Sequence, residues 1–80
     1  MARLRNEVYI ACFGNRIREL RLGRGYSQEH LANLCDVELS QINRIELGKI
    51  NTSISQAYKI SVALGVTMSA LFDFDLAIDF

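Results

Sequence analysis

Two apolar-periodic segments of about two turns each, joined by three residues, constrain this chain more than anything else in it. The first follows Ser27, which fits an N-cap. Gln28 and Glu29 then occupy a first turn whose free amides favour oxygen and negative charge. Leu31, Ala32, Leu34 and Cys35 give this segment an apolar face. The second reads LSQINRIE, residues 39–46, with Ile42 and Ile45 to one side and Leu39, Ser40, Gln41, Asn43 and Arg44 over the rest. Asp36 and Val37 turn the chain between them, and Glu38 stands where Ser or Thr would cap better. Isolated helices of two turns are marginal in water, so such a pair persists only where other helices clamp it.

The flanking sequence supplies the clamps. Residues 7–24 read EVYIACFGNRIRELRLGR, in which Val8, Cys12, Ile17, Leu20 and Arg24 recur three or four apart, while Arg16, Arg18, Glu19 and Arg21 fall largely elsewhere. That is an amphipathic helix. Gly14 lies inside it at some cost, which marks a softer N-terminal part, and Gly25 fits the C-cap. Gly48 ends the LSQINRIE helix and Lys49 to Thr52 form a polar loop. Ser53 then opens a fourth helix, ISQAYKISVAL, with Ile54, Ala57, Ile60 and Leu64 at helical spacing, joined by Tyr58 and Ala63. Gly65 caps it, and Thr67 caps a fifth short helix, MSALF. The last stretch, DFDLAIDF, sets Phe74, Leu76, Ile78 and Phe80 against Asp73, Asp75, Ala77 and Asp79, a period of two that reads as a strand or an extended arm. The expected architecture is all-α: one compact five-helix domain over residues 1–80 with a short apolar C-terminal extension, 73–80.

Eighty residues bury only about 60–65% of the surface an unfolded chain exposes, so the core must be well filled or a partner must help. Half the residues are apolar, which argues against disorder. The formal net charge is zero, yet all nine Lys and Arg lie within residues 1–59 with only six of the nine acids, leaving 9 − 6 = +3 there. Asp73, Asp75 and Asp79 mask a basic body. Cys12 and Cys35 sit in apolar contexts without ligand spacing and read as reduced, mostly buried thiols. His30 is the lone histidine, with no second ligand at metal spacing, and no Ser–His–acid set or phosphate-cradling glycine loop is present. The sequence therefore calls for no metal, no cofactor and no catalysis. No apolar run approaches the ~20 residues that span a membrane and no secretory signal opens the chain, so a cytoplasmic protein is the expectation.

A three-residue connection between two short helices is the spacing of a helix-turn-helix. One α-helix fits the width of a DNA major groove, where hydrogen-bonding side chains read base edges and phosphate contacts hold the helix in place. The stretch from about residue 13 to 72 resembles the Cro/CI-type helix-turn-helix family, also called the xenobiotic response element type. The resemblance rests on Arg21, on Ser27-Gln28-Glu29-His30-Leu31-Ala32, on Ile42-Asn43-Arg44-Ile45-Glu46-Leu47-Gly48 and on Ile60-Ser61-Val62-Ala63-Leu64-Gly65-Val66. Three positions depart from the family pattern: Asp36 stands for the usual turn Gly, Glu38 for a Ser or Thr cap, and Thr52 for a loop Pro. Glu38 also places a negative charge near the presumed DNA face.

The resemblance implies a sequence-specific regulator of transcription that binds duplex DNA, usually as a homodimer on a palindromic site. It turns Leu39, Ser40 and Arg44 toward the groove, with Gln41 at its edge. Arg pairs well with guanine, Gln with adenine, Ser with either, and Leu with a thymine methyl. Gln28 at the start of the second helix, Asn43, Lys49 and Asn51 read as phosphate contacts. Arg21 and Glu46 correspond to a structural salt bridge in the family. Val66, Met68, Leu71 and Phe72 fall where related proteins often dimerise, and the alternative is that they only close the monomer core. Phe74, Leu76, Ile78 and Phe80 form an apolar row that must be covered, either against the first helix around Val8, Ile10 and Cys12 or across to a second subunit. A competing reading is a protein-interaction module, antitoxin-like, in which DNA binding is secondary.

Overall fold

Four of the five helices start on a side-chain cap, three of them, Ser27, Ser53 and Thr67, expected from the sequence and the fourth, Asn6, not. In the computed structural model, which describes residues 6–75, α1 spans Glu7–Gly23, α2 Gln28–Cys35, α3 Leu39–Glu46, α4 Ile54–Leu64 and α5 Met68–Leu71. Asn6 Oδ1 accepts from the Tyr9 amide at 2.9 Å, Ser27 Oγ from His30 at 2.9 Å, Ser53 Oγ from Gln56 at 3.1 Å and Thr67 Oγ1 from Ala70 at 3.1 Å. Each bond satisfies a first-turn N–H that the helix itself leaves open. Glu38 makes no such bond before α3. Asp36, in the place of the family's turn glycine, ends α2 with φ 57° and ψ 48°, and among the described residues it is the one non-glycine with positive φ. A short polar side chain tolerates that conformation where a β-branched one would not.

The core is a single cluster of Phe13, Ile17, Leu31, Ala32, Cys35, Ile42, Ile45, Ala57, Ile60, Leu64 and Leu71. The two-turn helices are clamped from two sides: α1 packs on α3, α4 packs on α2, and α5 touches both α1 and α4. Arg16 adds a tie by donating from Nε to the Ala70 carbonyl oxygen at 2.9 Å.

Three details differ from the sequence reading. The buried face of α1 carries Ile10, Phe13, Gly14, Ile17 and Arg21, not Val8, Cys12 and Arg24, and Val8 is exposed. In α4 the buried residues are Ala57, Ile60, Ser61 and Leu64, while Ile54 and Tyr58 point to solvent. Both helices carry apolar residues on more than one face, so spacing alone does not choose between the faces. Leu34 of α2 is exposed for the same reason.

Gly14 is no soft spot. A Cβ there would lie on the Ile45 carbonyl oxygen and 2.9 Å from that of Glu46, and a Cβ on Gly48, at φ +71°, would lie 2.9 Å from the Ala11 Cα. Two glycines thus let α1 and the end of α3 meet backbone to backbone. Cys35 is buried and Cys12 half-buried, both as free thiols, and desolvation raises the Cys35 pKa against a smaller lowering by Lys59.

The start of the extension turns back onto α1. The Phe74 ring meets Tyr9 edge-on with centroids 5.1 Å apart, and Phe72 stacks on Phe13 at 4.9 Å. Leu76, Ile78 and Phe80 lie outside the described residues.

Candidate nucleic-acid interface

At about 100° per residue, Leu39, Asn43, Leu47, Ser40 and Arg44 follow one another across roughly 140° of the α3 surface. All five are exposed. Ile42, Ile45 and Glu46 fall on the other side and are buried. Leu39, Ser40 and Arg44 therefore share one solvent face. Gln41 lies beyond its edge, between Arg44 and Ile45, and is half-buried. Asn43 lies inside the face. Leu47, just past the last turn, belongs to it as well; the sequence signal was its place four residues after Asn43 and eight after Leu39.

A buried ion pair holds this face in place. Arg21 donates from Nε to Glu46 Oε2 at 2.6 Å and from Nη2 to Glu46 Oε1 at 3.0 Å, and its Nη1 reaches the Tyr26 carbonyl oxygen at 2.8 Å. The side chains are 9% and 2% exposed. The two-pronged geometry is the strong form of this pairing. The bond to Glu46 raises the Arg21 pKa, partly opposed by burial, so the guanidinium is permanently charged. Arg21 comes from the buried side of α1 and Glu46 from the last position of α3, so the pair pins α3 to the clamp.

The network continues outward. Gln28 Nε2 donates to Glu46 Oε1 at 3.0 Å, and Asn43 Nδ2 donates to Gln28 Oε1 at 3.3 Å. The Gln28 amide is thus engaged within the protein, while its backbone N–H heads α2 among first-turn amides that have no partner within the helix. Lys49 and Asn51 are exposed in the loop after α3, and the Lys49 amide closes the helix end on the Arg44 carbonyl oxygen at 2.9 Å. Arg44 brings positive charge to this face in the last turn of α3, Lys49 is exposed in the loop just past it, and Glu38 is exposed at the opposite, N-terminal end of the helix.

The expected dimer residues are placed unevenly. Val66 and Met68 are half-buried against the core, and Phe72 is partly exposed over Phe13. Phe74 is half-buried on Tyr9. Leu71 is wholly buried and has no surface to offer a second subunit. Among the described residues the three most exposed large apolar side chains are on α4, where Ile54, Tyr58 and Val62 are 82%, 60% and 61% exposed and stand one turn apart. The sequence reading had turned Ile54 and Tyr58 inward. Among the described residues no His, Cys, Asp and Glu group could hold a metal ion, and no helix is long and apolar enough to cross a membrane.

A family model described as helix-turn-helix matches residues 17–71. The chain is 44% identical over 63 residues to the control protein C.BamHI of Bacillus amyloliquefaciens, covering 78% of each chain. It is 41% identical over 68 residues to the control protein C.MunI of a Mycoplasma species, covering 84% of this chain and 90% of that one. Among solved structures it is similar to the restriction-modification controller protein C.AhdI of Aeromonas hydrophila, with TM-score 0.77 and 38% identity, over 79% of this chain and 96% of that one.

Proposed function

Because the chain belongs to the Cro/CI-type helix-turn-helix family of transcriptional regulators, we propose that it binds a palindromic duplex DNA site sequence-specifically as a homodimer and controls transcription by occupying that site. The observation that carries the reading is the outward face of α3, with Leu39, Ser40, Asn43 and Arg44 exposed together above a buried ion pair. A helix of this length enters a major groove, and the charge at Arg44 and Lys49 suits the phosphates that flank it. The relatives called control proteins and the restriction-modification controller extend the proposal: the genes regulated are those of a restriction–modification system.

Selection of bound duplexes from a random pool tests this directly. A recovered motif with two-fold symmetry and half-sites one helical turn apart supports it, and binding should weaken steeply as salt rises because counterions are released. An even pool at low ionic strength overturns it. Arg44→Ala is expected to lose about tenfold in preference at one base pair of each half-site, with the fold intact, since a well-placed Arg–guanine pair contributes about 1–3 kcal/mol of discrimination. Equal weakening on all sequences would move Arg44 to the phosphate contacts.

The homodimer is supported by the α4 stripe. Ile54 and Val62 stand four residues either side of Tyr58, so two antiparallel α4 helices about a two-fold axis bring the two Tyr58 rings together and set Ile54 of one copy against Val62 of the other. Lys59 is the one charged residue in α4. Tyr58→Asp should shift sedimentation toward monomer without lowering the unfolding midpoint of the monomer. The competing antitoxin-like reading also uses an exposed apolar stripe. It gains if the purified chain is monomeric at all concentrations and the pool shows no motif.

A further inference from the structure

The hydrogen-bond chain that runs from Arg21 to Asn43 does more than hold a helix. An ionised carboxylate is acceptor-only, so the oxygens of Glu46 admit only donors. Arg21 supplies two and Gln28 Nε2 supplies the third. This fixes which way the Gln28 amide faces, because its oxygen cannot turn toward Glu46. Gln28 Oε1 therefore faces Asn43, and Asn43 has to present Nδ2 to it, as observed at 3.3 Å. A buried charge thus decides the orientation of an exposed amide two hydrogen bonds away.

We infer that Asn43 is a base-reading residue, not a phosphate contact, and that it reads adenine. One N–H of its amide is spent on Gln28, leaving the other N–H and the whole of Oδ1 available on the exposed face between Leu39 and Leu47. An adjacent donor and acceptor match the N7 acceptor and N6 amino donor that adenine shows in the major groove. Guanine shows two acceptors there and would set one against Oδ1. Asn43 reaches the groove with its amide already oriented, so less ordering is needed when it pairs. A phosphate offers only acceptors and would make no use of Oδ1. Gln28 is the positioning residue in this arrangement. The inference rests on the DNA-binding reading above and adds the identity of one base to it.

The experiment is the same duplex selection, performed in parallel on the natural protein, Asn43→Ala and Gln28→Met. The natural protein should select adenine at one position of each half-site. Asn43→Ala should relax that position alone, by about tenfold, with every other position unchanged and the thermal unfolding curve preserved, since the side chain is exposed. Gln28→Met keeps length and bulk while removing the amide. It should relax the same position to a smaller degree, a readout that a merely structural role or a phosphate contact would not move. If Asn43→Ala leaves the recovered motif unchanged, or weakens all sequences equally, the assignment is overturned while DNA binding stands. Relaxation at a position that was not adenine overturns the choice of base. A natural protein that selects no motif overturns this inference and the reading beneath it together.

Discussion

Glu46→Ala and Arg21→Ala are each expected to lower the unfolding free energy by about 3–5 kcal/mol, the cost of leaving one charge of a buried pair without the other. At 9% and 2% exposure neither side chain has water to fall back on. A domain of this size is stable by roughly 4–12 kcal/mol, so either variant should stand close to its unfolding midpoint without denaturant. Glu46→Ala leaves the guanidinium, the Gln28 amide and a cavity. Arg21→Ala leaves a carboxylate whose one remaining side-chain donor is Gln28.

The double variant Arg21→Met with Glu46→Leu separates charge from packing. Replacing both members of a buried pair with apolar side chains of similar volume is often close to neutral, so most of the loss should be recovered. Recovery of the fold should leave the adenine preference at the Asn43 position relaxed, because Gln28 would have lost the acceptor that orients it. Urea midpoints with unchanged slopes give the stability values. Losses below about 1 kcal/mol for both single variants would show that the pair behaves as a surface bridge.

The parts of this fold that were legible in the sequence are those set by local chemistry. Ser27, Ser53 and Thr67 cap helices because a hydroxyl at the first turn meets an open amide, whatever the tertiary context. Gly65 and Asp36 end helices in the left-handed region for equally local reasons. The parts that were not legible depend on what lies across the interface. Ile54 and Tyr58 look like core residues by spacing, but Ala57, Ile60 and Leu64 already fill the space against α2. The Arg21–Glu46 pair was legible only through family resemblance, since the two lie 25 residues apart. The link from Glu46 through Gln28 to Asn43 was not legible at all. It requires three side chains from two helices to converge, and no periodicity encodes that.

Gly14→Ala is expected to destabilise the protein although it should improve the helix that contains it. In a helix interior Ala is favoured over Gly by about 1 kcal/mol, and Gly14 sits well inside α1. Against that gain stands the position of the new methyl group, on the carbonyl oxygen of Ile45 and 2.9 Å from that of Glu46. Both neighbours are backbone at the end of α3, so no rotamer change relieves the overlap. Overpacking of this kind costs about 1–3 kcal/mol and more where the surroundings cannot yield, which places the net loss near 2 kcal/mol. The relief available is for α3 to move off α1. That would draw Ile45 from the core, lengthen the Arg21–Glu46 bonds and tilt the face that carries Ser40, Asn43 and Arg44. Gly23→Ala in the same helix is the control, because nothing lies within 4 Å of a Cβ there. It should be neutral or stabilising by up to about 1 kcal/mol. Opposite signs for the two substitutions would identify Gly14 as a contact residue chosen for what it lacks. Equal effects would mean that α3 can settle elsewhere at little cost, and the helix would then be less rigidly held than the proposed base reading requires.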